Sequence, residues 1–227
     1  PDGRESTADD GLPATYKDFR ALTIQMKIVG VTPFVWNGDE TGYLTGLIND
    51  MWANNEGAEQ MKLNFTFDGT ATTIIDLSLI IDNIAADGSV TLKQSEKIDG
   101  TNFNLLQRQK GKYDALTFAC MLLDDGTGNG NSRNYYGKSF DSGFSNTIAQ
   151  KYFLDPDGNG IGDSPIGFLV DGGWWYNEAN VKDKNIGILP LPKTDASKIG
   201  TPTTKVSDRS SLIFISSETS SEVIPVA

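Results

Sequence analysis

The chain has 227 residues, a formal charge of -11 from 19 Lys and Arg against 30 Asp and Glu, one cysteine and no histidine. Its length suits one core of about 200–250 residues, and its negative charge repels phosphate backbones and anionic membrane surfaces, which argues against nucleic acid as a partner. The lack of histidine removes Ser-His-Asp, Cys-His and ordinary zinc chemistry, so any hydrolysis would rest on carboxylates, and no run of about 18 apolar residues offers a membrane span.

In chain order, residues 1–13 are polar, with paired acids, and read as an exposed arm. Thr15 and Asp18 resemble a capping box, and Phe19, Leu22 and Met26 recur at helical spacing, which predicts a helix over 14–29. Gly30 suits the residue that ends it. Residues 31–36 (V-T-P-F-V-W) read as a strand with Pro33 near its start or on an edge. Phe34 and Trp36 stand two apart and share a face, and the turn Asn37-Gly38-Asp39-Glu40 follows at once. Core packing is one reading of that pair; partial exposure of a tryptophan beside a polar turn is the other.

Residues 41–54 carry Leu44, Leu47, Ile48, Met51 and Trp52 at i, i+3, i+4 spacing, an amphipathic helix that Gly57 stops. Alternation over 63–67 predicts a strand, and the period over 71–86 a helix, although β-branched residues compete there. A turn at Asp87-Gly88, a short strand over 90–92 and a long helix over 101–123, with Gly111 as its kink, come next. Cys120 lies in the apolar run 117–123, where an inert buried thiol is expected. The Gly- and Asn-rich stretch 124–140 is longer than an ordinary connection, therefore functional or mobile. A short helix over 145–154 precedes the strand 166–170, and strands over 185–189 and 211–216 complete an α/β layered domain spanning 1–227, with connecting ends at 1–13 and 217–227.

The strand 166–170 runs into Asp171-Gly172-Gly173 and then Trp174-Trp175. Glycines at a strand's carboxyl end let the backbone turn and leave room for a ligand, and ligands of α/β folds sit at such ends. A tryptophan there suits the apolar face of a sugar, and Asp171 can accept hydrogen bonds from hydroxyls. Upstream, Asp155, Asp157, Asn159, Ile161 and Asp163 fall at the alternating positions of an EF-hand calcium loop, with Gly160 at its sharp turn. The twelfth position is Ile166 rather than Glu, so calcium would need water or a distant carboxylate such as Asp124 or Asp125; a metal-free Asx turn is the alternative.

The stretches T-P-F-V-W-N-G (32–38), Q-K-Y-F-L (150–154), F-L-V-D-G-G-W-W-Y-N-E-A (168–179) and N-I-G-I-L-P-L-P (185–192) resemble, in that order, the extracellular carbohydrate-type solute-binding proteins of ABC importers. The resemblance implies one lobe of a two-lobed, type II periplasmic-binding-protein-like fold, the second lobe of the family's pair. It implies a non-catalytic role in sugar transport, a membrane permease as partner, a monomer, and a place outside the cell as a lipoprotein or in the periplasm. Carried over, Trp174 stacks on a sugar ring with Asp171 and Gly172 beside it, Trp175 belongs to the core, and Phe34 and Trp36 form the same cleft wall. Glu40, Tyr43 and Glu178 are further polar candidates. Gly173 stands where many relatives carry proline, and the 155–163 loop is no general feature of the family. Two other classes compete: a glycoside hydrolase using a pair among Asp39, Glu40, Asp171 and Glu178, whose carboxyl groups would stand about 5–10 Å apart, and a calcium-stabilised adhesion module.

Overall fold

A computed structural model describes residues 13–77, 90–124, 133–155, 164–172, 174–175, 186–187 and 189–204. The first helix, α1 (Tyr16–Ile28), starts on the expected capping box: Asp18 N–H donates to Thr15 Oγ1 at 3.2 Å, and Thr15 N–H donates to Asp18 Oδ2 at 3.0 Å. Such a cap contributes about 1 kcal/mol. Gly30 takes a left-handed φ of 81°, which turns the chain into strand β1 (Thr32–Val35). β1 lies parallel to the later strand β4 (Ile166–Leu169), with Phe34 opposite Phe168 and Val35 opposite Leu169. On its other flank Phe34 exchanges backbone hydrogen bonds with Asn134 and Tyr136 at 3.0 and 2.8 Å. β1 is thus an inner strand, and Pro33 sits near its start rather than on an edge.

Helix α2 (Thr41–Thr66) carries the expected amphipathic stripe but does not stop at Gly57. That glycine, at φ 77° and ψ 170°, kinks the helix, which then resumes and ends with Phe67 in the left-handed region. The strand expected over 63–67 is therefore corrected to helix. Leu63 points into a small core with Ala71, Ile74, Ile98 and Leu106, while Phe65 and Phe67 are exposed, so the alternation never formed the buried face of a sheet. The helix expected over 71–86 is also corrected for residues 71–76. Strand β2 (Gly69–Ala71) pairs antiparallel with β3 (Glu96–Ile98), and Ile74 and Ile75 bridge to Gln109 and Leu92. The β-branched run Thr72-Thr73-Ile74-Ile75 favours extended backbone once those partners exist.

The long helix expected over 101–123 divides into a 3₁₀ helix, Phe103–Arg108, and α3 (Lys110–Leu123). Between them Gln109 has extended dihedrals and is fully buried. Its Oε1 accepts from Trp52 Nε1 at 3.1 Å and Asn64 Nδ2 at 2.8 Å, and its Nε2 donates to the Gln60 carbonyl at 3.1 Å. The break is thus at Gln109, not Gly111, and every hydrogen-bonding atom of that buried amide side chain but one proton is engaged with α2. α2 and α3 pack through Met51, Trp52, Ala53, Ala115, Phe118 and Leu122, joined by Phe19, Phe34 and Trp36. Cys120 is exposed, a correction to the expected buried thiol, because the core-facing positions of α3 are Phe118, Ala119 and Leu122.

Of the stretch expected as a long loop, residues 133–140 are described: Asn134 is fully buried and a 3₁₀ turn covers Gly137–Phe140. Tyr136, Phe144 and Ala149 of the following helix α4 (Asn146–Phe153) pack on Val35 and Ile166, a second core beneath β1 and β4. Residues 186, 187 and 189 are not strand, so the strand expected over 185–189 is not formed at those positions. The residues 1–12, 78–86 and 211–216 fall outside the described part. Helices and short sheets in this order make a mixed α/β fold.

Gly57 occupies a φ/ψ region open essentially to glycine alone, and nothing stands within 4 Å of where a Cβ would lie. Gly57→Ala is therefore expected to cost about 1–3 kcal/mol through backbone strain alone, read as a lower melting temperature; an unchanged melting temperature would contradict the kink. Next to it, Glu56 accepts from Thr73 Oγ1 at 2.6 Å and from the Gly111 N–H at 2.5 Å. Burial raises the pKa of this carboxyl above its ordinary value, against the pull of Thr73, Gly111 and the Lys198 charge. A raised carboxyl stabilises the fold fully below its unfolded pKa and loses that contribution as pH rises through the folded one. Glu56→Gln, neutral at every pH, should gain stability relative to the parent as pH rises above the ordinary glutamate pKa of about 4.3. Urea unfolding at several pH values checks this, and a pH-independent difference would refute it.

Candidate functional site

Because β1 and β4 are parallel, their carboxyl ends lie at the same edge, where Val170 N–H still donates to the Val35 carbonyl at 3.3 Å. Beyond this last rung the two chains diverge, β1 into Trp36-Asn37 and β4 into Asp171-Gly172. The Asp171 carboxylate is held from two sides. Its Oδ2 accepts from Gln150 Nε2 of α4 at 3.0 Å, and its Oδ1 accepts from the Gly172 N–H at 2.6 Å. Gln150 is buried, so α4 acts as a rigid brace for this side chain. Sequence reasoning missed Gln150; its only signal was a lone polar residue on the inward side of a short amphipathic helix.

After Asp171 the backbone closes a turn, with Trp175 N–H donating to the Gly172 carbonyl at 3.0 Å. The Trp174 indole folds back over Gly172: a Cβ there would lie 2.0–2.3 Å from three of its ring atoms. Only glycine can seat the ring this way. Trp174 is 40% exposed and meets Tyr43 of α2, with ring centroids 6.4 Å apart at 57°. Trp175 turns inward, packs edge-on to Phe153 at 5.6 Å and is 9% exposed.

The expectation that Phe34 and Trp36 form part of a ligand wall is corrected. Both are 1% exposed. They pack on each other at 5.1 Å, and Phe140 covers Trp36 edge-on at 5.1 Å. Residues of α1, α2 and α3 form one core with both rings and Phe140 caps Trp36, so the polar turn after Trp36 does not bring its ring to solvent. Glu40 is exposed at the N-cap position of α2, where its N–H donates to Asn37 Oδ1 at 3.3 Å. Its carbonyl accepts from Tyr43 N–H at 3.2 Å, which keeps Glu40 one turn from the Tyr43–Trp174 contact. Asp39 is exposed in the preceding turn. The structure therefore brings together Asp171, Gly172, Trp174 and Tyr43, sets Glu40 beside them, and removes Phe34 and Trp36.

Of the calcium positions, Asp155 is half-buried and its N–H donates to the Tyr152 carbonyl at 3.3 Å; Asp157, Asn159, Ile161 and Asp163 lie outside the described residues, as do Asp125 and Glu178. Asp124 is exposed at the end of α3. Among the described residues no three acidic, cysteine or histidine side chains form a metal-binding group, and no helix is long and apolar enough to cross a membrane. Two surface grooves of about 330 Å³ are lined by other residues, one near Pro33 and Arg133, the other near Trp52 and Phe103. The Trp174 surface presents one aromatic face, a second ring beside it, and a carboxylate held by Gln150 and the Gly172 N–H.

Gly172→Ala is expected to push the Trp174 ring off its seat and shift tryptophan emission to longer wavelength, a shift absent when the same change is made in a Trp174→Phe background. An unchanged spectrum would contradict the folded-back indole. Comparisons with protein-family models, curated proteins and solved structures each find no match for this chain.

Proposed function

We propose that this chain is a carbohydrate-binding lobe of a two-lobed, type II solute receptor serving an ABC importer, and that it is not a catalyst. The observation that carries the proposal is the exposed Trp174 indole, seated on Gly172 beside Tyr43 and the braced Asp171, at the carboxyl edge of two parallel strands. Sugar rings present apolar C–H faces and peripheral hydroxyls, and an aromatic platform with a fixed acceptor at its rim matches both. Tyr43 takes the place that Trp36 was expected to fill. Asp171 acts as an acceptor for ligand hydroxyls, with Glu40 at the rim.

A platform open on one side buries little of a ligand, so a second lobe supplies the opposite wall. Contacts made only in the closed form bias the open–closed equilibrium by their own free energy. The closed receptor then docks on a membrane permease outside the cell or in the periplasm. The test is a titration of the chain with a panel of oligosaccharides, followed by tryptophan fluorescence and calorimetry. Saturable binding of roughly millimolar strength is expected for the single lobe. Trp174→Ala should abolish it, and Asp171→Ala should weaken it about tenfold, as for loss of one hydrogen bond to a charged group. Absence of saturable binding across the panel, or binding indifferent to Trp174→Ala, would overturn the proposal.

A further inference from the structure

Away from the Trp174 edge, Lys193 follows Pro192 and is pinned by its backbone to the start of α1. Tyr16 N–H donates to the Lys193 carbonyl at 2.9 Å, and Lys193 N–H donates to the Ala14 carbonyl at 2.8 Å. The side chain runs inward and is only 8% exposed. Its ammonium donates to Asn54 Oδ1 at 2.7 Å and to the Pro202 carbonyl at 3.4 Å, both neutral acceptors. No described carboxylate lies within ion-pair distance of it. Among the described residues the third N–H of the ammonium has no acceptor.

Asn54 is 6% exposed. Since its Oδ1 accepts from the ammonium, the orientation of its amide is decided, and its Nδ2 is left buried with no hydrogen-bond partner. Lys198 adds a second positive charge nearby. Its Nζ donates to the Asn55 carbonyl at 3.2 Å, and its field acts with burial to lower the pKa of Lys193. The carboxylate that Lys198 does influence, Glu56, is engaged by Thr73 and Gly111. Buried charges are ordinarily paired, and an unmet buried donor costs about 1–3 kcal/mol. A water molecule would satisfy a donor but not the charge.

We propose that Lys193 and Asn54 form a binding site for a small oxyanion, a carboxylate or a phosphate, with one oxygen on the Lys193 ammonium, another on Asn54 Nδ2, and Lys198 adding attraction. The ammonium and the unmet Nδ2 both neighbour Asn54 Oδ1, so an anion with two oxygens on one centre suits the pair of donors better than a monatomic ion does. The site joins α1, α2 and the segment after Pro192, and its occupancy is independent of any sugar at Trp174.

The experiment is a titration of the whole ¹⁵N-labelled chain with sodium acetate and, separately, inorganic phosphate, at constant ionic strength set with sodium chloride. The Asn54 side-chain amide resonances and the melting temperature are followed. Saturable movement of those resonances with a raised melting temperature is expected for at least one probe. Acetate alone would mark a carboxylate site, and both probes a general oxyanion site. Lys193→Met should remove the saturable response, and Lys198→Met should weaken it severalfold. Should Lys193→Met fail to fold, the Asn54 resonances of the parent and the Lys198→Met titration still decide. Resonance changes no larger than those from chloride, or a saturable response indifferent to Lys198→Met, would overturn the assignment.

Discussion

The parallel pairing of β1 with β4 is the constraint on which the rest of this molecule depends. The two strands are separated by more than a hundred residues of chain, so closing that loop costs conformational entropy that must be recovered by burial. Recovery comes from both faces. Phe34 and Trp36 enter the core shared by α1, α2 and α3, and Val35 and Ile166 enter the second core with Tyr136, Phe144 and Ala149. The Tyr135 bridge on the far side of β1 removes its remaining edge, which is why the aromatic residues of this strand are structural. The same pairing aligns the two carboxyl ends, and with the Gln150 brace and the Gly172 seat it sets Asp171 and Trp174 near the start of α2.

A second tie is polar and holds the other half of the chain. Gln109 and Glu56 are buried or half-buried groups on α2 and at the start of α3 whose partners come from distant segments: Trp52, Asn64 and Gln60 for Gln109, Thr73 and Gly111 for Glu56. Side chains that meet several donors at once specify one arrangement of the elements that carry them, at the cost of desolvation. Removal of one partner would leave a buried group unmet, so these contacts fix how α2, α3 and the β2–β3 pair sit together more than they add to net stability. The Lys193–Asn54 contact differs because its partners do not close on themselves, leaving an ammonium and an amide with no carboxylate partner among the described residues.

Much of this was legible from local signals. The Thr15–Asp18 cap, the start of α2, α4 and the strand leading to Asp171 follow from capping chemistry and period, which depend only on near neighbours. The α/β class follows from their alternation. The errors share one cause. Residues 63–67 alternate like a strand yet continue a helix past Gly57, because Leu63 finds a buried partner set while Phe65 and Phe67 do not. Residues 71–75 show a helical period yet take no helical turn, because β3, Leu92 and Gln109 offer them backbone partners. A periodic pattern reports which residues are apolar, not which neighbour will bury them.

The candidate site divides in the same way. The sequence by itself determined that a glycine pair, an acid and two tryptophans stand at the end of an apolar strand, and that no histidine or cysteine chemistry is open to them. Tertiary structure decided which ring is accessible. Trp174 rests on Gly172 beside Tyr43, Trp175 turns toward Phe153, and Trp36 disappears behind Phe140. It also supplied Gln150, whose amide reaches Asp171 only once α4 has docked beneath β4. The physical reason is that side-chain identity is a property of the chain, whereas exposure is a property of what packs against it, and packing partners here come from residues far apart in sequence.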